Sequence, residues 1–240
     1  MTKSSFKLAT IYKIPIEINY SWFIILGLVI FTLARGYFPL SNPELPYYVH
    51  WLMAVIAALL LFLSLLAHEL SHSVVAKRNR LPISGITLFV FGGVAHLEKE
   101  PTSAAVEFKM AIAGPAMSFG LSLIFLVLTR LFYYFHLPTA LISITNYLFV
   151  VNLFIGLFNL IPGFPLDGGR VLRALLWTLY KDIKRATRIA SSCGKAFAIL
   201  LIAFGFLNLI TGSVISGIWF IFIGLFLQEA ADISYRQVAM

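Results

Sequence analysis

A chain of 240 residues is long enough for one or two soluble domains, yet 60% of its residues are hydrophobic and only 12% are charged. Ordinary soluble domains are about 45–50% apolar, so this composition excludes a typical soluble protein and indicates a membrane protein. The net charge of +8 would suit nucleic acid, but the basic residues flank apolar runs, where membrane orientation explains them better, and we expect no nucleic-acid partner.

Six apolar segments are long enough to cross a lipid bilayer, which takes about 20 helical residues. The first follows Lys3, Lys7 and Lys13; a cleaved signal peptide is the alternative there, but no small-x-small cleavage site precedes Arg35. The fourth segment runs into prolines and glycines between residues 162 and 169, so its helix should break within the membrane. The spans are predicted near residues 21–38, 51–76, 108–135, 141 onward, 195–210 and 214–228.

The charges orient these spans. Of the 18 Lys and Arg residues, only Arg35 and Arg130 fall on the side of the loops at 36–50, 136–141 and 209–215. By the positive-inside rule the opposite side is the cytoplasm. We therefore expect a multi-pass protein of the cell membrane with both termini in the cytoplasm.

Three polar residues, His68, Glu69 and His72, stand near the end of the second span. Residues four apart on a helix point the same way, so the two histidines can share a tetrahedral metal ion. In the H-E-x-x-H arrangement the histidines ligate zinc and the glutamate takes a proton from the attacking water. The alternative is a polar helix contact, but ionisable groups inside a membrane are expensive and usually functional.

A catalytic zinc site usually has three protein ligands. Asp167 is the other acidic residue set clearly among apolar spans near that depth, and a carboxylate there is compensated if it ligates a cation. A simple kink or loop over residues 162–169 is the other interpretation, although it leaves the aspartate unexplained.

At these residues the sequence resembles the site-2 protease family of intramembrane zinc metalloproteases. "HELSH" and "FNLIPGFPLDGG" are similar to the family's H-E-x-x-H and N-x-x-P-x-x-x-x-D-G-G motifs, and "FGGVAHLEKEP" and "AIAGPAMS" extend the resemblance. The resemblance implies Zn²⁺ held by His68, His72 and Asp167, with Glu69 as general base. Asn159 would position the substrate or stabilise the oxyanion, although Asn159 and Asn152 could equally form interhelical hydrogen bonds.

The resemblance also implies a function: hydrolysis of a peptide bond within or beside the transmembrane segment of a single-pass, membrane-anchored regulatory protein. Only about 25 residues separate Arg80 from the third span, too few for the PDZ domain of some relatives. We expect the branch without a PDZ insertion. Two other functions fit the sequence less well. A metal-ion transporter would need a chain of metal-binding sites along a path, whereas the sequence shows one cluster. An inactive scaffold usually lacks the glutamate or a ligand, whereas all four key residues are present here.

Residues 83–97 mix β-branched and aromatic residues around a Gly-Gly pair, which predicts a short strand pair. It could bind substrate by strand addition or simply cover the active site. The predicted fold is an all-α polytopic membrane protein with six transmembrane helices and a small re-entrant β element between the second and third, in one membrane-embedded domain over residues 1–240.

Other features have simpler interpretations. Gly114, Ser118 and Ser122 recur every four residues, which suits helix packing rather than chemistry. The basic stretch at 177–188 is predicted to lie on the cytoplasmic surface, with binding of a substrate tail as the alternative. His96 is predicted not to be a metal ligand. His50 and His136 are predicted to lie at the outer interface of the membrane.

Overall fold

A computed structural model describes residues 5–90, 92–97 and 99–239, the last three of these by backbone only. Lys3 of the basic N-terminal segment, and Phe91 and Glu98 of the "FGGVAHLEKEP" segment, lie outside the described residues. The chain separates into two compact units. Unit 1 consists of Met1–Glu100 and Ala113–Gly156, and unit 2 consists of Pro101–Ile112 and Leu157–Met240. The expectation of a single domain stays a prediction.

The described residues are mostly helical. The helices are α1 (Trp22–Thr32), α2 (Phe38–Ser41), α3 (Tyr47–Arg78), α4 (Ala104–Tyr134), α5 (Thr139–Asn159), α6 (Asp167–Tyr180), α7 (Ile183–Ile210) and α8 (Val214–Ala239). A π-helical turn, Leu33–Tyr37, joins α1 to α2. Among the described residues, six segments are long and apolar enough to cross a membrane: Trp22–Ser41, α3, α4, α5, α7 and Val214–Arg236. These six confirm the predicted spans.

The helix boundaries follow local chemistry. The fourth span ends at Asn159, before the prolines, and irregular backbone continues to the start of α6, which confirms the predicted break. Helix α6 ends where Lys181 takes a left-handed conformation with φ of 55°. Asp182 then caps α7 by accepting a hydrogen bond from the Arg185 N–H at 3.1 Å. The basic stretch at 177–188 is therefore split between two helices, and the fifth long helix begins well before the predicted residue 195.

The β element is larger than predicted. Strands β3 (Ile83–Phe89) and β4 (Gly92–Leu97) form the predicted antiparallel pair. They join β1 (Ser5–Ile11) and β2 (Ile14–Asn19) in one sheet of order β1-β2-β3-β4. Strands β1 and β2 are antiparallel, whereas β2 and β3 are parallel. The sequence analysis missed β1 and β2.

Within unit 1 the sheet packs on α3. Three isoleucines of β2 alternate with more polar residues, and all three are buried: Ile14, Ile16 and Ile18. The first two cluster with Leu66 and Ile86, and the third with Phe62 and other apolar residues. Because burying one such side chain is worth about 1.5–3 kcal/mol, this face holds the sheet against the helix that carries His68.

A second core of unit 1 joins the first span to α3 and α5. Small residues of α3, Ala54 and Ala57, are fully buried there beside Phe38 and Leu148. Side chains of this size let helix backbones approach closely, as in other membrane helix pairs. This core packs α3 against the first span and α5 within unit 1.

Unit 2 contains α6, α7, α8 and the start of α4. Helices α7 and α8 pack closely at glycines: a Cβ at Gly205 would meet the carbonyl oxygen of Gly217, and one at Gly224 would meet that of Ala198. Phe164, from the irregular segment before α6, is buried with Ala190 of α7. The segment that precedes Asp167 is thus anchored to a long helix.

Candidate metal centre

Helix α3 brings the two histidines of the H-E-x-x-H motif together. Their Nε2 atoms lie 3.2 Å apart, His68 is buried, and His72 is half-buried. Two nitrogens bound to one tetrahedral zinc ion at about 2.0–2.1 Å lie about 3.3–3.4 Å from each other. The two Nε2 atoms therefore have the spacing that a shared metal ion requires, and this donor pair fits zinc.

Helix α4 leaves room for these rings. A Cβ at Gly114 would overlap the Nε2 atoms of both His68 and His72. One turn later, the Ser118 Oγ lies 2.8 Å from His68 Nδ1, and both residues are buried. The predicted packing role of Gly114 is confirmed. Ser118 has a polar contact with a histidine, which was not predicted from the sequence. For Ser122, which donates to the Phe149 carbonyl at 3.0 Å, the packing role is confirmed.

Glu69 faces the sheet. It is half-buried, and a Cβ at Gly93 of β4 would overlap its Cγ. The glycine therefore lets the backbone of β4 pass directly against the glutamate. Since β4 is the last strand in the sheet order, Glu69 lies beside an edge strand.

Asp167 begins α6 in unit 2. Its position in the first turn is favourable for a carboxylate, because the helix dipole is positive there. The irregular segment before it is fixed by a hydrogen bond from the Phe164 N–H to the Ala190 carbonyl at 3.2 Å. Side chains are excluded at three contacts of this segment, since a Cβ would overlap backbone atoms at Gly163, Gly169 and Gly194.

A buried ion pair supports the same segment. Arg173, six residues after Asp167, contacts Glu107 through Nε at 2.6 Å and Nη2 at 2.5 Å, and both side chains are buried. The Arg173 guanidinium also lies 5.2 Å from the centre of the Phe164 ring. Sequence analysis missed this pair, because nothing local links Glu107 to Arg173.

The two asparagines differ. Asn152 is fully buried, and its amide donates to the Ser64 Oγ of α3 at 3.3 Å and to the Leu148 carbonyl at 2.8 Å, so it has the interhelical role that the sequence left open. Asn159 is the half-buried last residue of α5. Its active-site role stays a prediction. His68, Glu69 and His72 belong to unit 1, whereas Asn159 and Asp167 belong to unit 2.

The remaining histidines have other partners or surroundings. His96 Nε2 lies 3.0 Å from the Thr87 Oγ1 on the neighbouring strand. His50 is buried, and its Nε2 lies 2.9 Å from the Asn42 carbonyl oxygen. Its location at the membrane interface stays a prediction. His136 is exposed at the end of α4.

The chain is similar to known peptidases. The family model "Peptidase family M50" matches residues 56–141 and 135–203. A Synechocystis sp. protein named as a candidate zinc metalloprotease is 42% identical over 98% of this chain and 60% of its own length. Rip3 of Mycobacterium tuberculosis, named in the same way, is 39% identical over 95% of this chain and 58% of its own length. The chain thus spans about 60% of these relatives.

A solved structure shares the fold. The site-2 protease from Methanocaldococcus jannaschii superimposes with a TM-score of 0.62 and 31% identity, covering 96% of this chain and 95% of that one. The predicted class of six membrane helices with a small β element is confirmed, with the sheet enlarged to four strands. Together with the apolar helices, these relatives identify a multi-pass membrane protein.

Proposed function

The chain belongs to peptidase family M50, and from this premise we propose that it is an intramembrane zinc metalloprotease. The observation that carries the proposal is the His68–His72 pair, whose Nε2 atoms have the separation of two ligands on one zinc ion, with Glu69 next to it on the same helix. The zinc-metalloprotease names of the relatives support the same metal.

The proposed ligands are His68, His72 and Asp167. Two imidazoles and one carboxylate form a usual ligand set of catalytic zinc, and they leave a fourth position open. When bound, zinc makes water a stronger nucleophile at neutral pH and polarises the carbonyl of the peptide bond. The motif spacing and the family support Asp167 as the third ligand.

Glu69 moves the proton in the proposed reaction. Its carboxylate accepts a proton as the water oxygen bonds to the peptide carbon, and it returns that proton to the amide nitrogen as the C–N bond breaks. The Asn159 amide is proposed to donate a hydrogen bond to the carbonyl oxygen as negative charge develops on it.

The sheet supports a way of holding the substrate. A transmembrane helix satisfies its own amides, so the segment to be cut must unwind before water can reach a peptide bond. Edge strand β4 offers replacement hydrogen bonds by strand addition. Because Gly93 of β4 contacts Glu69, a strand paired there lies beside the proposed base.

The proposed substrate is a single-pass, membrane-anchored regulatory protein, cut within or beside its span in regulated intramembrane proteolysis. The proposed orientation places both termini in the cytoplasm, as the distribution of Lys and Arg supports. Single cysteines at Lys7, Lys184 and Ser213 in a Cys193→Ser background test it with an impermeant reagent on intact cells. Labelling at Ser213 alone is expected, whereas labelling at Lys184 refutes the orientation.

Glu69→Gln tests the proposed chemistry. The variant keeps the size of the side chain and loses the base, so the purified protein should bind about one zinc yet cleave roughly 10²–10⁴-fold more slowly. Zinc is measured by elemental analysis, and cleavage is measured on a single-pass test substrate in liposomes. A Glu69→Gln protein with full proteolytic activity refutes the protease assignment. Comparative proteomics of membranes with the active and inactive proteins then identifies substrates as shortened single-pass proteins.

A further inference from the structure

Ser118 of α4 contacts His68, one of the two histidines of the metal pair. Its Oγ lies 2.8 Å from His68 Nδ1, and the two residues are 1% and 3% exposed. We infer that Ser118 is a positioning residue that holds His68 in the tautomer and ring orientation needed to bind the metal ion. The inference rests on the proposed zinc site and adds Ser118, which lies in the "AIAGPAMS" segment and outside the H-E-x-x-H and D-G-G motifs.

The chemistry of the imidazole ring links this contact to the tautomer of His68. A neutral histidine carries one ring proton, so the nitrogen without it is the one that can bind a metal ion. If Nδ1–H donates to the Ser118 oxygen, the Nε2 lone pair is free for the metal. That Nε2 is the atom that lies 3.2 Å from His72 Nε2. A hydroxyl oxygen has two lone pairs, so Ser118 can accept this proton and still donate its own.

The contact also fixes the ring in space. Nδ1 is held by Ser118 on one side of the ring, while Nε2 points to the space that Gly114 leaves open. Gly114 and Ser118 are four residues apart and so share one face of α4. Gly114 thus leaves space for both histidine rings, and Ser118 sets the orientation of the His68 ring.

Ser122 shows that a buried serine on this face of α4 can have a different hydrogen-bond partner. It is one turn further along α4 and is also buried, but its Oγ donates to the Phe149 carbonyl of α5 at 3.0 Å. Ser122 therefore uses its hydroxyl to join α4 to α5. It provides a matched control, because Ser122→Ala removes the same hydroxyl from the same helix.

Partners of metal-binding histidines typically change metal affinity by about 10–100-fold when they are removed. We therefore expect Ser118→Ala to weaken zinc binding by about that factor in a chelator competition with purified, detergent-solubilised protein. Ser122→Ala should stay within about threefold of the unaltered protein. Ser118→Thr keeps the hydroxyl and should restore most of the affinity. Equal affinity in Ser118→Ala and the unaltered protein overturns the inference, and so does an equal loss in Ser122→Ala.

Nitrogen-15 NMR of histidine-labelled protein gives a second measurement, which needs no folded Ser118 variant. In the zinc-loaded, unaltered protein, the His68 signals should show a protonated Nδ1 and a metal-bound Nε2. Metal bound at Nδ1 overturns the inference. The two proposals fail separately: an unchanged zinc affinity in Ser118→Ala leaves the protease assignment standing, whereas full proteolysis by Glu69→Gln refutes that assignment without changing the Ser118 result.

Discussion

The buried pair formed by Glu107 and Arg173 makes a quantitative prediction about unit 2. Both residues are at most 4% exposed, and Arg173 contacts one carboxylate oxygen of Glu107 through two nitrogens. Glu107→Gln removes the negative charge that faces the buried Arg173 guanidinium. Arg173→Met removes the positive charge that faces the buried Glu107 carboxylate. Breaking one side of such a pair typically destabilises a protein by about 3–5 kcal/mol. At 1.4 kcal/mol for each factor of ten, this shifts the unfolding equilibrium by roughly 150- to 4,000-fold.

The variant with both substitutions tests whether the loss of stability comes from a buried charge left without its partner. With both charges removed, neither is left buried alone, so Glu107→Gln with Arg173→Met should recover most of the loss. Unfolding equilibria in mixed detergent micelles at increasing SDS measure all three proteins. The partly exposed pair of Lys195 and Asp232 on α7 and α8 is the control, and Lys195→Gln should lose less than about 1 kcal/mol. Single variants that lose under 1 kcal/mol, or a double variant that loses the sum of both, would refute the reasoning.

Three further predictions concern the proposed active site. His72→Ala and Asp167→Ala should each lose both zinc and proteolysis, because each removes one of three ligands; unchanged zinc in Asp167→Ala would mean that the third ligand is another residue. Asn159→Ala should keep its zinc and cleave up to ~10²–10³-fold more slowly if the amide stabilises the oxyanion, and a normal rate would leave Asn159 no such role. Gly114→Ala should lower zinc content by displacing the histidine rings, while Gly120→Ala, on an open part of the same helix, should not.

The last prediction concerns the substrate. Gly or Pro placed near the scissile bond should raise the cleavage rate, and a rigid Leu-rich span should lower it, because the segment must unwind to be cut. Rates are compared on test spans of equal length in liposomes. Equal cleavage of a poly-Leu span and a Gly-containing span would contradict the unwinding argument.

Several features of the fold and the site could be predicted from the sequence, because each depends on residues that are close together in the chain. The apolar runs that form the spans, the i, i+4 spacing of His68 and His72, and the prolines that end α5 each depend on residues close in sequence. Helical periodicity and the missing amide of proline act within one or two turns. The alternation of Ile14, Ile16 and Ile18 also indicates a strand locally. It was not predicted, because these residues follow a basic segment that is typical of the region next to a membrane span.

The sequence alone determined the membrane class, the six spans, the strand pair at 83–97 and the residues of the H-E-x-x-H motif. Only the tertiary structure revealed the pairing of β2 with β3, the contact of Gly93 with Glu69, and the hydrogen bond between Ser118 and His68. It also revealed the ion pair of Glu107 with Arg173. Each of these joins residues more than 20 positions apart, and such a contact depends on how whole helices and strands pack, which no local period or propensity encodes.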